Sequence, residues 1–251
     1  MNRFLLIAVF TLSFLFFLAN GIPASQLHRL LGDHAGLQLS GLNGSLWSGS
    51  AKQFQFRTLQ ANDLTWSFNV LPLLLASLSA DLAIQDPALE LQGTLAKSLS
   101  GALSISDLTG KISLVQIASQ LPNPLIAQTI HGGTATLAIE EMEFDQGLIS
   151  YVDGTLQLDD VQIAVPNPIS LGSLAIQLSN NEQGIIANIQ DQGKGALTLQ
   201  AQATLLADGK YSLRGLVGTK DPKAVDLQNM LRLLGKPDAE GRFAINFTGR
   251  L

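Results

Sequence analysis

The chain has 251 residues, enough for one large β domain or two small ones; with 46% apolar and 14% charged residues, it is too rich in Val, Ile and Leu for disorder and lean in charge for a freely soluble protein. It has no cysteine, which excludes disulfides, thiolate chemistry, Cys-ligated metal and a lipidated N-terminal cysteine. The formal net charge is −5, and no Lys or Arg lies between Lys111 and Lys194, a window holding Glu140, Glu141, Glu143, Asp145, Asp153, Asp159, Asp160, Glu182 and Asp191. This acidic middle sets nucleic acid aside as a partner, and reads either as solvated strand faces or as a docking region opposite in sign to the basic residues 194–250.

Residues 4–18 (FLLIAVFTLSFLFFL) carry no charge. Phe4, Leu5, Leu6, Ile7, Phe10, Leu12, Phe14, Leu15, Phe16, Phe17 and Leu18 give the run no polar face, and with Ala19, Gly21 and Ile22 it reaches the about 20 residues that span a bilayer. Arg3 precedes it and the next basic residue is Arg29, so the positive-inside bias keeps the N-terminus in the cytoplasm and exports the rest. The expectation is an uncleaved anchor over residues 1–22; the rival is a signal peptide cleaved near Ala19 to Gly21 or Ala24 to Ser25. Residues 23–36 read as a helical connector, capped by Ser25 and ended by Gly32. His28 and His34 have no metal-ligand partner at useful spacing.

From Leu37 the period is two, which predicts a β-rich domain over residues 37–251. Residues 41–51 (GLNGSLWSGSA) read as strand, glycine turn and strand, and residues 64–82, with Trp66, then Pro72 and a leucine run, as their echo; the pair reads as the opening folds of one long, curved antiparallel sheet. A recurrent shape follows: alternation, a one-residue slip, then alternation. It appears at Phe54/Phe56 to Leu59/Ala61, at Leu103/Ile105 to Leu108, at Leu137/Ile139 to Met142/Phe144 and at Leu156/Leu158 to Val161/Ile163. A slip keeps apolar side chains on one face only if the strand bulges, and repeated bulges predict a sheet that coils. The fold expected is therefore mainly β: an N-terminal transmembrane helix, then a curved, twisted antiparallel sheet, open or partly closed into a roll, with a few short helices. Helical turns are expected at residues 71–78, after Pro72, and at residues 115–121. Strands are expected over 134–144, 148–163, 172–179 and 184–189. Residues 197–205 and 211–217 form a hairpin through a type I′ turn at Asp208-Gly209. A helix capped by Asp221, with Ala224, Leu227, Leu231 and Leu234 on one face, ends at Gly235; Phe243, Ile245 and Phe247 make the last strand.

No catalytic pattern accompanies this framework. There is no G-x-S-x-G elbow, H-E-x-x-H or P-loop; His131-Gly132-Gly133 reads as a turn, and the Glu140/Glu141 and Asp159/Asp160 pairs alternate across a strand and cannot chelate as a unit. The expectation is a protein without enzymatic activity, metal or cofactor.

The ordered set Gly41-x-x-Gly44-x-x-Trp47-Ser48-Gly49-x-Ala51, Leu64-x-Trp66, Pro72 with Leu74-Leu75, Asp208-Gly209-x-Tyr211, Leu233-Leu234-Gly235, Gly241-Arg242-Phe243 and Thr248-Gly249-Arg250-Leu251 resembles the type II secretion system protein N family, also called general secretion pathway protein N. Residues 82–203 match it only in strand rhythm. The resemblance implies an accessory inner-membrane component of the machine that moves folded proteins from the periplasm across the outer membrane. Its partners would be inner-membrane platform or outer-membrane pore components, with no cofactor and no catalytic residue. The alternative is an AsmA-like or bridge-like envelope protein, whose aliphatic groove shelters the acyl chains of phospholipid; a third reading is a purely structural stub of a larger assembly.

Overall fold

The computed structural model describes residues 21–26, 37–56, 59–69, 72, 77–99, 101–120, 128–145, 147–164, 168–182, 184–193, 195–221 and 224–250. The expected anchor residues from Phe4 to Leu18, most of the 23–36 connector, and Leu251 lie outside them. Among the described residues, no helix is long and apolar enough to cross a membrane.

The chain forms one antiparallel meander. Strands β1 (Leu37–Ser40) and β2 (Asn43–Gly44) lie end to end against β3 (Ser48–Phe56). Then come β4 (Leu59–Asn69), β5 (Ser77–Asp86), β6 (Leu89–Ser98), β7 (Leu103–Ser113), β8 (Ile130–Asp145), β9 (Leu148–Ala164), β10 (Pro168–Asn181), β11 (Gly184–Asp191), β12 (Leu197–Leu206), β13 (Lys210–Thr219) and β14 (Phe243–Arg250). From β3 onward each strand pairs with its neighbour in sequence, giving one 14-stranded sheet. Among the described residues β1 and β14 do not pair, so the sheet is open. Helix α1 (Leu114–Ser119) follows β7, and α2 (Val225–Leu231) precedes β14.

The strand registers sort the side chains cleanly. One face carries Trp66, Leu82, Leu95, Ile105, Met142, Val152 and Leu178, continuing through Ile185, Leu205, Leu213 and Phe247. The other carries Thr65, Asp81, Thr94, Ser106, Glu141, Asp153, Gln177, Gln202 and Arg214. An antiparallel sheet normally hides its apolar face under a second layer. Among the described residues, two short helices provide one. Most of the buried residues accordingly fall into four clusters, two of which share Leu158 and Leu171, and among the described residues Leu89 is the largest fully buried side chain.

The apolar face shields itself by bending. Its residues are half-buried because strands lean together on that side. A Cβ at Gly110 would lie 2.0 Å from the Glu90 carbonyl oxygen, and one at Gly215 would lie 2.5 Å from Ala201 Cβ, whereas opposed Cβ atoms ordinarily sit about 4.5–5.5 Å apart. Bulges supply further bend. Gly93 faces both Asp107 and Leu108, Gly133 faces Asp160 and Val161, and Glu140 is the extra residue opposite the Asp153-Gly154 step. Asp107 and Asp160 take φ of 52° and 50°, a left-handed conformation that Asp tolerates better than most residues.

Three of the four expected slips are therefore bulges. The first is not: Phe56 ends β3 and Leu59 begins β4, so that slip is a hairpin. The corresponding kink lies just beyond, at Asp63 (φ 51°), where Asp86 Oδ2 accepts from Asn62 N at 3.1 Å in place of a ladder bond. Other expectations change as well. Residues 24–26 form a 3₁₀ turn, and the rest of the expected connector helix is not described. Ser77 and Leu78 belong to β5, not to a helical turn. His131 to Gly133 open β8 with broken register instead of making a turn. Asp208 has no positive φ. The β12–β13 connection is a three-residue loop in which Gly209 N donates to Leu206 O at 2.9 Å and Gly209 alone is left-handed (φ 79°). Helix α2 starts after Ala224, so Asp221 is not its cap; the face with Leu227 and Leu231 is buried, but Leu234 has already turned outward in a 3₁₀ turn.

Candidate functional site

Motif residues from both ends of the sequence gather into two clusters at the same end of their strands. In the first, the Gly41–Gly49 region folds back on β4. Gly41 (φ 66°) separates β1 from β2. Ser45 N donates to Ser48 O at 2.9 Å, closing the β2–β3 turn. Trp66 Nε1 donates to Leu46 O at 3.0 Å, and its ring lies over Gly49, where a Cβ would be 2.5 Å from the indole. Trp47 meets Phe68 edge-on at 5.9 Å, with its indole N–H buried and unpartnered. The residues just after the expected anchor are tied in here. Leu46 N donates to Ile22 O at 2.9 Å, Pro23 bridges Ser45, and Ala24 is buried with Ala51, Leu64 and Trp66. Pro72 lies on the β4–β5 connection.

The second cluster joins Asp208, Gly209, Tyr211, Gly249 and Arg250. Lys210 pairs with Asp208 at 2.6 Å, Arg250 Nε donates to Asp208 O at 3.3 Å, and the Tyr211 ring covers Gly249. Hydrogen bonds from Lys210 hold the Asp208 carboxyl below its ordinary value and raise Lys210 in turn. These glycines admit an aromatic ring onto a strand. They hold the sheet's two ends in shape and present no reactive group. Gly235 and Gly241 lie apart from both clusters, in the turns flanking the segment from α2 to β14.

The opposite ends of the strands carry both helices. Leu114 and Ile117 of α1 pack on Ala135, Val161 and Leu158, and Gln116 Nε2 reaches Gln60 O in β4 at 3.3 Å. Leu227 and Leu231 of α2 pack on Leu174, Leu197, Val217 and Phe243. Asp191, at the turn beneath α2, was missed by motif reading because it belongs to no pattern. It accepts from Leu199 N and Gly193 N, each at 3.0 Å, and pairs with Lys220. Partial burial pushes its carboxyl up, but Lys220 and the two amides outweigh this and hold it below the ordinary value.

Covering is thus uneven along each strand. On β14, Phe243 beside α2 is 6% exposed and Phe247 is 52% exposed, although both lie on the apolar face. The polar face is held by cross-strand bonds such as Thr94 Oγ1 to Asp81 Oδ1 at 2.7 Å and Gln202 Nε2 to Asn188 Oδ1 at 2.9 Å. Glu141 stands directly opposite Asp153 there. No group of three or more His, Asp or Glu among the described residues is placed to hold a metal ion.

These features define a class: a single-layer β protein with one apolar face, one polar face and, among the described residues, two unclosed edges. A family model described as "Type II secretion system (T2SS), protein N" matches residues 35–246, and the chain belongs to that family. Similar proteins carry the name type II secretion system protein N. The Vibrio cholerae protein is 25% identical over 222 residues, covering 86% of each chain. The Aeromonas hydrophila protein is 24% identical over 252 residues, covering 100% of this chain and 99% of the other. The Klebsiella pneumoniae protein is 25% identical over 251 residues, covering 99% and 96%. No solved structure matches the chain. The chain is thus a component of type II secretion, the protein-transport system for which its family is named.

Proposed function

We propose that this chain is an accessory component of type II secretion held in the inner membrane by residues 4–18, with its sheet in the periplasm, and that it acts by contact with other secretion proteins without catalysing a reaction. The observation that carries the reading is the outer edge of β14, with which no described strand pairs. Eight residues, FAINFTGR, run in unbroken register with β13, with no proline, no bulge and one charge, Arg250. Natural sheets protect such an edge unless something pairs with it. A photo-crosslinking residue at Asn246, in cells actively secreting, is expected to trap an inner-membrane platform or outer-membrane pore component. Absence of any such adduct, together with normal secretion in a deletion strain, would count against the proposal.

A second reading is favoured by a separate observation, the uninterrupted apolar face. Its contour from β3 to β14 crosses twelve strands, about 50 Å at the usual inter-strand spacing of about 4.8 Å, without a covering sheet. Apolar patches of that extent on a folded chain mark a binding surface. On this reading, phospholipid acyl chains lie along the face. Mass spectrometry of chain purified in mild detergent is expected to find phospholipid at near-stoichiometric amounts; lipid-free chain of unchanged stability argues for the protein-contact reading alone.

A further inference from the structure

Three features meet at one corner of the sheet. The first is the point where the chain leaves residues 1–20: Ile22, Pro23 and Ala24 are fixed against Leu46, Ser45 and Trp66. The second is the β4–β5 connection, which leaves Asn69 and returns at Ser77 on the same corner; its sequence, VLPLLLA, has no polar side chain. The third is a pair of exposed leucines. Leu78, at the start of β5, is 44% exposed, and Leu99, at the tip of the β6–β7 turn, is 86% exposed. That turn is otherwise built to face water: Gly101 N donates to Ser98 O at 3.0 Å, and its other side chains are serine, glycine and alanine.

Single exposed leucines are ordinary. Their meaning here comes from position, because both lie at the same strand ends as the place where an apolar run of membrane-spanning length enters the domain. We infer that this corner, formed by the tips of β4 to β7, rests in the headgroup and acyl boundary of the bilayer, with Leu78 and Leu99 inserted. The partner is the lipid surface itself. The inference rests on residues 4–18 being the anchor. Two contacts, anchor and corner, fix the orientation of the sheet where the anchor alone would leave a swivel. They also bring the half-buried start of the apolar face, at Phe68 and Leu82, close to acyl chains. The helices α1 and α2 lie at the opposite strand ends, away from the membrane.

The cysteine-free sequence makes the test direct. Leu99→Cys, Leu78→Cys and Leu233→Cys are made singly in the full chain, labelled with an environment-sensitive fluorophore, and reconstituted into phosphatidylethanolamine–phosphatidylglycerol vesicles. Leu233 is the matched control, 88% exposed but beyond α2 at the other end. The labels at 99 and 78 are expected to shift to the blue and to be quenched by acyl-chain nitroxides, and the label at 233 to stay in water. Vesicle flotation with the labels at 99 and 78 still in water overturns the corner contact and leaves the anchor standing. A chain that does not float overturns both. Equal quenching at 233 overturns the corner contact by showing adsorption without orientation. Far-UV circular dichroism, unchanged from the parent, establishes that each variant is folded.

Discussion

At the scale of single residues, the sheet depends on a few side chains that take conformations or partners a strand does not normally offer. Asp107 is left-handed at a bulge. A β-branched residue there crowds its own backbone, so Asp107→Val is expected to destabilise the chain by about 1–3 kcal/mol, while Asp107→Asn stays near the parent. Urea unfolding of both variants checks this, and equal midpoints would show the bulge to be unstrained. Asp191 works through partners. Its removal in Asp191→Ala leaves two backbone amides and Lys220 without their acceptor, expected to cost about 1–3 kcal/mol. The pH dependence follows from the direction of its shift. The folded carboxyl titrates below the ordinary 3.8, so its contribution is complete above roughly pH 4 and disappears as the pH falls through the folded value. The parent and Asp191→Ala stability curves should therefore differ at neutral pH and converge in acid; a gap that persists below the folded value would mean that the loss is one of packing, not charge.

At the scale of elements, alternation in the sequence revealed most of the strands, because each strand has one apolar and one polar face. The bulges were legible where a polar pair split two alternating runs, as at Ser106-Asp107 and Asp159-Asp160. The same spelling at Asn62-Asp63 passed unseen, since the slip one turn earlier, at Phe56 and Leu59, took its place and proved to be a hairpin. Asp208-Gly209 pointed to a turn correctly but not to its type, because Asp only tolerates a positive φ and does not require one, and Asp208 does not adopt it. The helix before β14 was found from its apolar spacing at Leu227 and Leu231, yet its start slid inward because an aspartate before a proline reads as a cap whether or not the backbone uses it. Asp191 was invisible, because its partners Leu199 and Lys220 are brought to it only by the β11–β12 and β12–β13 pairings. One pairing carries a cost that the alternation pattern did not show. Glu141 and Asp153 stand opposite each other on the polar face, and opposed like charges in a sheet are destabilising. Glu141→Thr is expected to raise stability by up to about 1 kcal/mol, read as a higher urea midpoint. If secretion falls in the same variant, the acidic strip is kept for a basic partner; a variant no more stable than the parent removes the premise.

At the scale of the whole molecule, a meander whose buried residues fall into local clusters should not unfold as one unit. From β3 onward each strand pairs with its sequence neighbours, and burial is local: Ala51, Leu64 and Trp66 at one edge share no cluster with Leu174, Val217, Leu227 and Phe243 at the other. Such a quasi-one-dimensional array loses cooperativity along its length, as repeat proteins do. Both tryptophans, Trp47 and Trp66, lie in the first cluster or beside it, so tryptophan fluorescence, excited selectively over Tyr151 and Tyr211, reports on that edge alone, while far-UV circular dichroism averages all strands. The two urea transitions are expected not to coincide. A local perturbation makes the argument sharper. Leu227 is 2% exposed under α2, and Leu227→Ala is expected to remove about 2–5 kcal/mol from its own cluster. That loss should move the circular dichroism transition and leave the tryptophan midpoint in place, since distant sites without shared partners behave independently. Superimposable transitions that shift together in Leu227→Ala would show that bending couples the edges into one cooperative fold, and the separate clusters would then be divisions of geometry without thermodynamic meaning.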